Sequence, residues 1–253
     1  MTTSIMLKNK IVRKTFIAFF WILLWQLLFC FVNKNLLIPM PTPVMTVKAI
    51  IRLLGSLSFW LAVAFSLLRV VIGYISAVVT GIFMGYISFK VKTVSELFSP
   101  VLRLIKAVPV AAFIILVFLW VDTAHIPQLI AFLTVLPIIW ESTENALSTV
   151  DKGLTEMAKV MGMKGKNILR YIVFPEIKPI LTASLITGLG FAFKSGVAAE
   201  VICKSASSLG ELLWVGKTTI AYDEVFAVTA VIILLSILLE WIIKKLLKGG
   251  VLP

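Results

Sequence analysis

Long apolar runs punctuated by short basic segments constrain this chain more than any other feature. No water reaches the core of a bilayer to satisfy a backbone N–H or C=O. A crossing segment must therefore be a helix or a strand of a closed barrel. A helix needs roughly 20 apolar residues to cross the ~30 Å core. Runs of suitable character fall at 15–32, 61–89, 107–121, 126–146, 177–199 and 225–243. They predict an all-α integral membrane protein with six transmembrane helices. The second run is long enough to tilt or to project beyond the membrane. The third is short, bounded by Pro109 and Asp122.

Composition agrees. With 60% hydrophobic and 14% charged residues, 253 residues hold too little polar surface for a soluble domain. The net charge of +12 does not point to nucleic acid, because the cations stand at the edges of apolar runs. With the N-terminus inside, the inner segments collect four groups of cations. These are Lys8, Lys10, Arg13 and Lys14; Lys90, Lys92, Arg103 and Lys106; Lys152, Lys159, Lys164, Lys166, Arg170 and Lys178; and Lys244, Lys245 and Lys248. That is 17 of the 24 Lys and Arg, so both termini are expected in the cytoplasm. The expected division is a cytoplasmic segment 1–14, one transmembrane domain 15–248 with a cytoplasmic loop at about 150–175, and a tail 249–253. The first run has basic flanks like a signal peptide but no small-x-small site after it, and reads as an uncleaved span.

Other chemistry is thin. Cys30 and Cys203 make neither a disulfide framework nor a metal cluster, and His125 is the single histidine. An intramembrane enzyme would need paired Asp, Ser–His or zinc ligands, which the spans lack. A self-contained secondary carrier would show inverted repeats with broken helices, and no such symmetry is visible. Gly210–Thr218, GELLWVGKT, has the look of a phosphate-binding loop. It places five residues between its glycines where four are needed, with no strand before it. Outside the spans lie a Pro-rich turn at 38–43, a mixed stretch 44–60 suited to a surface helix, and a second outer stretch 203–224.

One cytoplasmic passage stands apart: EMAKVMGMKGKNILRYIVFP, residues 156–175. Leu154, Ala158 and Met161 form one helical stripe; Ile168 with Ile172, and Leu169 with Val173, form others. The stripes break around Gly162–Gly165, which predicts two short helices joined by a glycine bend. Pro175 and Pro179 then mark the start of the fifth span. By composition alone the passage suits equally an interfacial loop on anionic headgroups.

The spacing resembles the EAA loop of ABC-importer permeases, which reads E-A-A, three residues, G, nine residues, I-x-L-P. Here stand Glu156-Met157-Ala158, Gly162 and Ile172-Val173-Phe174-Pro175; Met157 and Phe174 depart from the pattern. IPMPTPVMTV, SLLRVVIGYISAVVTGIFMGYIS, PVLRLIKAVPVAAFIIL, GVAAEVI and SLGELLW are similar to successive stretches of the nitrate/sulfonate/taurine-type permeases, from about residue 38 onward. The resemblance implies a six-helix type I importer permease in a bacterial inner membrane. It implies a pair of ABC ATPase subunits, an external solute-binding protein and a second permease, most simply an identical chain. This chain would bind no cofactor; ATP with magnesium would be used by the ATPase. Glu156, Ala158, Gly162, Met163, Lys164, Gly165 and Pro175 would form the coupling segment. The family's solutes are sulfonates, nitrate, taurine, bicarbonate and some vitamin precursors.

Charges inside apolar runs are functional candidates by default. Arg69, Lys194 and Glu200 each have two readings: lining a translocation path, or a structural role in snorkelling or ion pairing. Glu141 and Glu144, at the cytoplasmic end of the fourth run, are expected to be solvated. Small residues recur every fourth position at Gly73, Ala77, Gly81 and Gly85, and at Ser184, Gly188, Ala192 and Gly196. Such rows let helix backbones approach closely; the second row is also a candidate subunit interface. Pro137 is expected to bend the fourth span.

Overall fold

The computed structural model describes residues 10–35 and 40–249. The expected segment 1–14 and tail 249–253 lie largely outside the described residues, as do Ile38 and Pro39 of the Pro-rich turn. The elements are α1 (Lys10–Asn35), α2 (Pro43–Leu54), α3 (Leu57–Lys90), α4 (Lys92–Ala107), α5 (Val110–Phe118) and α6 (Ile126–Thr149). After them come α7 (Lys152–Val160), α8 (Gly165–Ile168), a π-helical turn (Leu169–Val173), α9 (Phe174–Cys203), α10 (Leu209–Thr218) and α11 (Tyr222–Gly249). By internal contacts the chain divides into two units, Met1–Trp60 with Leu212–Ile232, and Leu61–Glu211 with Ile233–Pro253.

Among the described residues, five helical runs are long and apolar enough to cross a membrane: Thr15–Val32, Leu57–Lys90, Ile126–Thr149, Gly165–Cys203 and Tyr222–Leu247. The expected third span is not a straight helix. α4 and α5 meet at 103°, and α5 has only 9 residues, about 14 Å of helix. Pro109, at the N-cap of α5, cannot donate a backbone hydrogen bond and holds Val108 extended (φ −76°, ψ 128°), so the helix cannot run through. α4 is instead amphipathic. Leu102 is buried beneath it, and Leu97, Val101 and Leu104 lie exposed on another face. Glu141 and Glu144 are not simply solvated, because both hold α4. Lys106 Nζ lies 2.6 Å from Glu141, and Ser95 Oγ donates to Glu144 at 2.6 Å.

The first unit contains α1 and α2. Thr42 caps α2 by accepting from the Met45 N–H (3.1 Å), with Pro43 at the first helical position. The surface helix expected over 44–60 ends at Leu54, and the second span starts at Leu57, earlier than the apolar run suggested. Arg52 reaches Asp223 and Glu224, at 3.3 and 2.8 Å.

The second unit is built on α6 and α9, its most extensive helix pairing. Ile114, Ile126, Ile130, Ala199 and Cys203 form a buried cluster joining α5, α6 and α9. Both rows of small residues are used inside this chain. A Cβ at Gly73 would overlap the Gln128 carbonyl oxygen; one at Gly81 would meet Ile139 Cβ at 2.9 Å, and one at Gly85 the Trp140 oxygen at 2.6 Å. On α9, Gly188 faces Val135 and Gly196 faces Val70. Ser184, Gly188, Ala192 and Gly196 are all buried, so this row packs against α3 and α6 of its own chain and is not open to a second subunit. Pro137 sits in the interior of α6.

The glycines can be ranked by what an added methyl meets. Gly73→Ala pushes on backbone and is expected to cost about 3 kcal/mol, at the upper end for overpacking. Gly188→Ala meets side-chain atoms alone, a Val135 methyl at 3.2 Å with Ile139 and Tyr74 at 3.6 Å, and gains about 1 kcal/mol of helix propensity. Thermal unfolding of the two variants in detergent checks the order; equal midpoints would contradict it.

Candidate functional site

Two constellations carry the candidate residues: the segment 151–175, and a buried polar cluster at the far end of α9.

Asp151 starts α7, its carboxylate accepting from Gly153 N–H (2.7 Å) and Leu154 N–H (3.4 Å). α7 ends in a Schellman motif. Gly162 N–H donates to the Lys159 carbonyl (3.0 Å) and Met163 N–H to the Ala158 carbonyl (2.9 Å). Gly162 has φ +77°, which glycine adopts without the Cβ clash of other residues. The chain then turns into α8 at Gly165. The expected pair of short helices with a glycine bend is present. Pro175 lies in the first turn of α9, but the helical run that holds the fifth span begins earlier than expected, at Gly165, and continues to Cys203. Its π turn immediately precedes Pro175, and Phe174 N–H donates to the Leu169 carbonyl, five residues back. An α-turn would drive the proline ring against the Tyr171 carbonyl; the wider turn relieves this.

Ala158 is buried, while Met157, Val160 and Met161 are 61%, 88% and 79% exposed. Leu154, Met157, Ala158, Met161, Met163 and Ile172 line an apolar depression of about 390 Å³. Isolated exposed apolar residues are ordinary, but a contiguous patch on a polar segment marks a contact surface. Methionines suit such a surface because they adapt to a partner's shape. Glu156 and Lys164, on the same segment, are exposed.

At the other end of α9, Glu200 is fully buried. Ser66 Oγ donates to it at 2.7 Å, Gly210 N–H at 3.3 Å and Arg69 at 3.4 Å. Arg69 also donates to the Ala206 carbonyl (2.9 Å), and Leu209 N–H donates to Ser66 Oγ (2.9 Å). One carboxylate thus ties α3 and α9 to the start of α10. Gly210 permits the approach, since a Cβ there would overlap Glu200 and Val201. Ser208 caps α10 through the Glu211 N–H at 2.9 Å. Gly210–Thr218, the phosphate-loop lookalike, is wound into that helix.

The structure therefore brings Arg69 and Glu200 onto each other, whereas Lys194 stands apart. Lys194 lies on an exposed stripe of α9 with Ile180, Ala183, Thr187, Phe191 and Ile202. Sequence reasoning missed Ser66 and Gly210. Ser66 stands three residues before Arg69, on one face of α3, and that spacing was the available signal.

The profile of a family described as "binding-protein-dependent transport system inner membrane component" matches residues 77–249. Over 235 residues the chain is 26% identical to a putative ABC transporter permease protein of Methanocaldococcus jannaschii, spanning 92% of this chain and 88% of that one. It is 26% identical over 207 residues to the taurine transport system permease protein TauC of Escherichia coli, spanning 79% and 75%. A solved structure described as an amino acid ABC transporter with histidines shares the fold, with TM-score 0.54 and 19% identity, over 74% of this chain and 91% of that one.

Proposed function

The chain belongs to the family of binding-protein-dependent transport system inner membrane components, and from that membership we propose that it forms the path of a type I ABC importer for a small anionic solute of the sulfonate, nitrate or taurine kind. A separate ATPase pair hydrolyses ATP with magnesium, an external binding protein delivers the solute, and two copies of this chain enclose the path. The setting is a bacterial plasma membrane with α7 and both termini on the cytoplasmic side, which the distribution of Lys and Arg supports.

One observation carries this reading. The exposed apolar tip of α7 is locked by the Gly162 motif to a helix that runs unbroken from Gly165 to Cys203. At 1.5 Å per residue that rod is about 58 Å long. A push on α7 is therefore delivered to the Glu200 cluster on the other side of the membrane. The stripe bearing Thr187 and Lys194 faces the second copy across the path. Lys194 supplies the positive charge there, while Arg69 is engaged by Glu200.

Cysteine cross-linking tests the lever. In a chain carrying Cys30→Ser and Met161→Cys, a photoactivatable cross-linker attached to the new thiol is expected to join α7 to the ATPase subunit and to stop ATP-driven uptake. Cross-links to lipid or to nothing, with uptake intact, would overturn the reading. Uptake that persists on an ion gradient after ATP is removed would make the chain a secondary carrier instead.

A further inference from the structure

α7 has a second face. Lys152, Thr155 and Lys159 stand at i, i+3 and i+7, opposite the methionine patch. That face borders a cavity of about 440 Å³ whose other cation is Lys90, the last residue of α3. Leu147 and Ile168 contribute apolar wall. No carboxylate is among the described residues that line it. Glu144 is engaged by Ser95, and Asp151 by the N-terminal N–H groups of α7; Glu156, four residues after Lys152 and three before Lys159, is exposed outside the cavity lining. Lys90 Nζ lies 5.8 and 5.9 Å from the ring centroids of Tyr86 and Phe89. Aromatic and basic side chains together at the end of a span mark the headgroup level of a bilayer. From there an exposed apolar track, Ile75, Val79, Phe83 and Tyr86, runs along α3 toward the membrane interior.

We propose that this cavity holds the phosphate of an anionic phospholipid, with Lys90, Lys152 and Lys159 around the headgroup and an acyl chain along the α3 track. Three cations around a cavity whose described lining holds no carboxylate, set over an apolar wall, suit an anion that brings its own hydrocarbon. The track argues for a lipid over a free phosphate ester, which has nothing to place there. The site lies on the face of α7 opposite the methionine patch, so lipid and a protein docked on that patch do not compete. Lipid occupancy would fix the distance between α7 and the end of α3. The proposal requires only that the chain spans a membrane, and stands or falls independently of the transport reading.

The test uses the full chain purified in mild detergent and titrated with phosphatidylglycerol or phosphatidylcholine, read by native mass spectrometry. Retention of phosphatidylglycerol in preference to phosphatidylcholine is expected. A basic side chain at an anionic headgroup is worth roughly fivefold in affinity. A K90Q/K152Q/K159Q chain is therefore expected to bind about 100-fold more weakly, and a K92Q/K244Q/K245Q control within about threefold of the parent. Unchanged binding by the first variant, or equal loss in the control, would overturn the proposal. So would full displacement by millimolar glycerol phosphate, which would make the ligand a soluble anion. The unmutated chain gives a second measure: photoactivatable phosphatidylglycerol should label peptides within 75–90 and 147–159, and labelling spread evenly over all spans would refute the site.

Discussion

Replacing Glu200 with alanine is expected to destabilise the folded chain by about 3–5 kcal/mol, the usual cost of removing one member of a buried ion pair. The carboxylate is fully buried, whereas the Arg69 side chain is 16% exposed. Removing Glu200 strands three donors at once: the Ser66 hydroxyl, the Gly210 N–H and one arm of the Arg69 guanidinium. Two of these sit where water does not reach, and each unsatisfied buried donor costs about 1–3 kcal/mol. Glu200→Gln keeps an acceptor for Ser66 and leaves only the cation uncompensated, so it should lose less. Thermal unfolding in detergent gives the order: parent, then E200Q, then E200A. A double-mutant cycle with Arg69→Ala isolates the pair. Coupling near zero would mean that the arginine serves the Ala206 carbonyl alone.

Gly162→Val is expected to reduce ATP-driven uptake at least tenfold while the amount of chain in the membrane stays within about twofold. A β-branched residue at φ +77° is strained, at a cost of roughly 1–3 kcal/mol. The chain can escape the strain by giving up the left-handed conformation. It then loses the Met163-to-Ala158 hydrogen bond that fixes α7 against α8. Stability of the transmembrane body is untouched, because nothing lies within 4 Å of a Cβ at that position. Gly165→Ala is the control. It has equal space, no positive φ and a place in the first turn of a helix, so it should lose far less uptake than Gly162→Val. Equal loss in both variants would show that the bend at Gly162 transmits nothing.

The two glycines look alike in sequence, which marks the limit of what could be read there. The apolar runs, the helical stripes around Ala158 and the Gly162 spacing were legible because each depends on local periodicity. Asp151 as a cap was equally visible in principle, since a short acceptor before a helical stripe is a local signal. The pairing of Arg69 with Glu200 joins residues 131 apart in the chain, and periodicity does not report such distances. The same gap left the small-residue row of α9 ambiguous. Its spacing announces a close neighbour but does not say which, and the neighbours are Val70 and Val135 of the same chain. Pro109 marked the edge of the third run in the sequence, but hydropathy carries no angle, and only the structure gives the 103° at which α4 and α5 meet.

The widened turn at Leu169–Val173 makes the long helix a crankshaft. One extra residue in a turn advances everything beyond it by about 100° relative to an ideal helix. That offset decides which side of α9 carries Lys194 outward and which carries Glu200 inward when α7 is held fixed. Deleting a single residue there would leave hydropathy, charge and length nearly unchanged, yet would re-clock the whole far half of the rod.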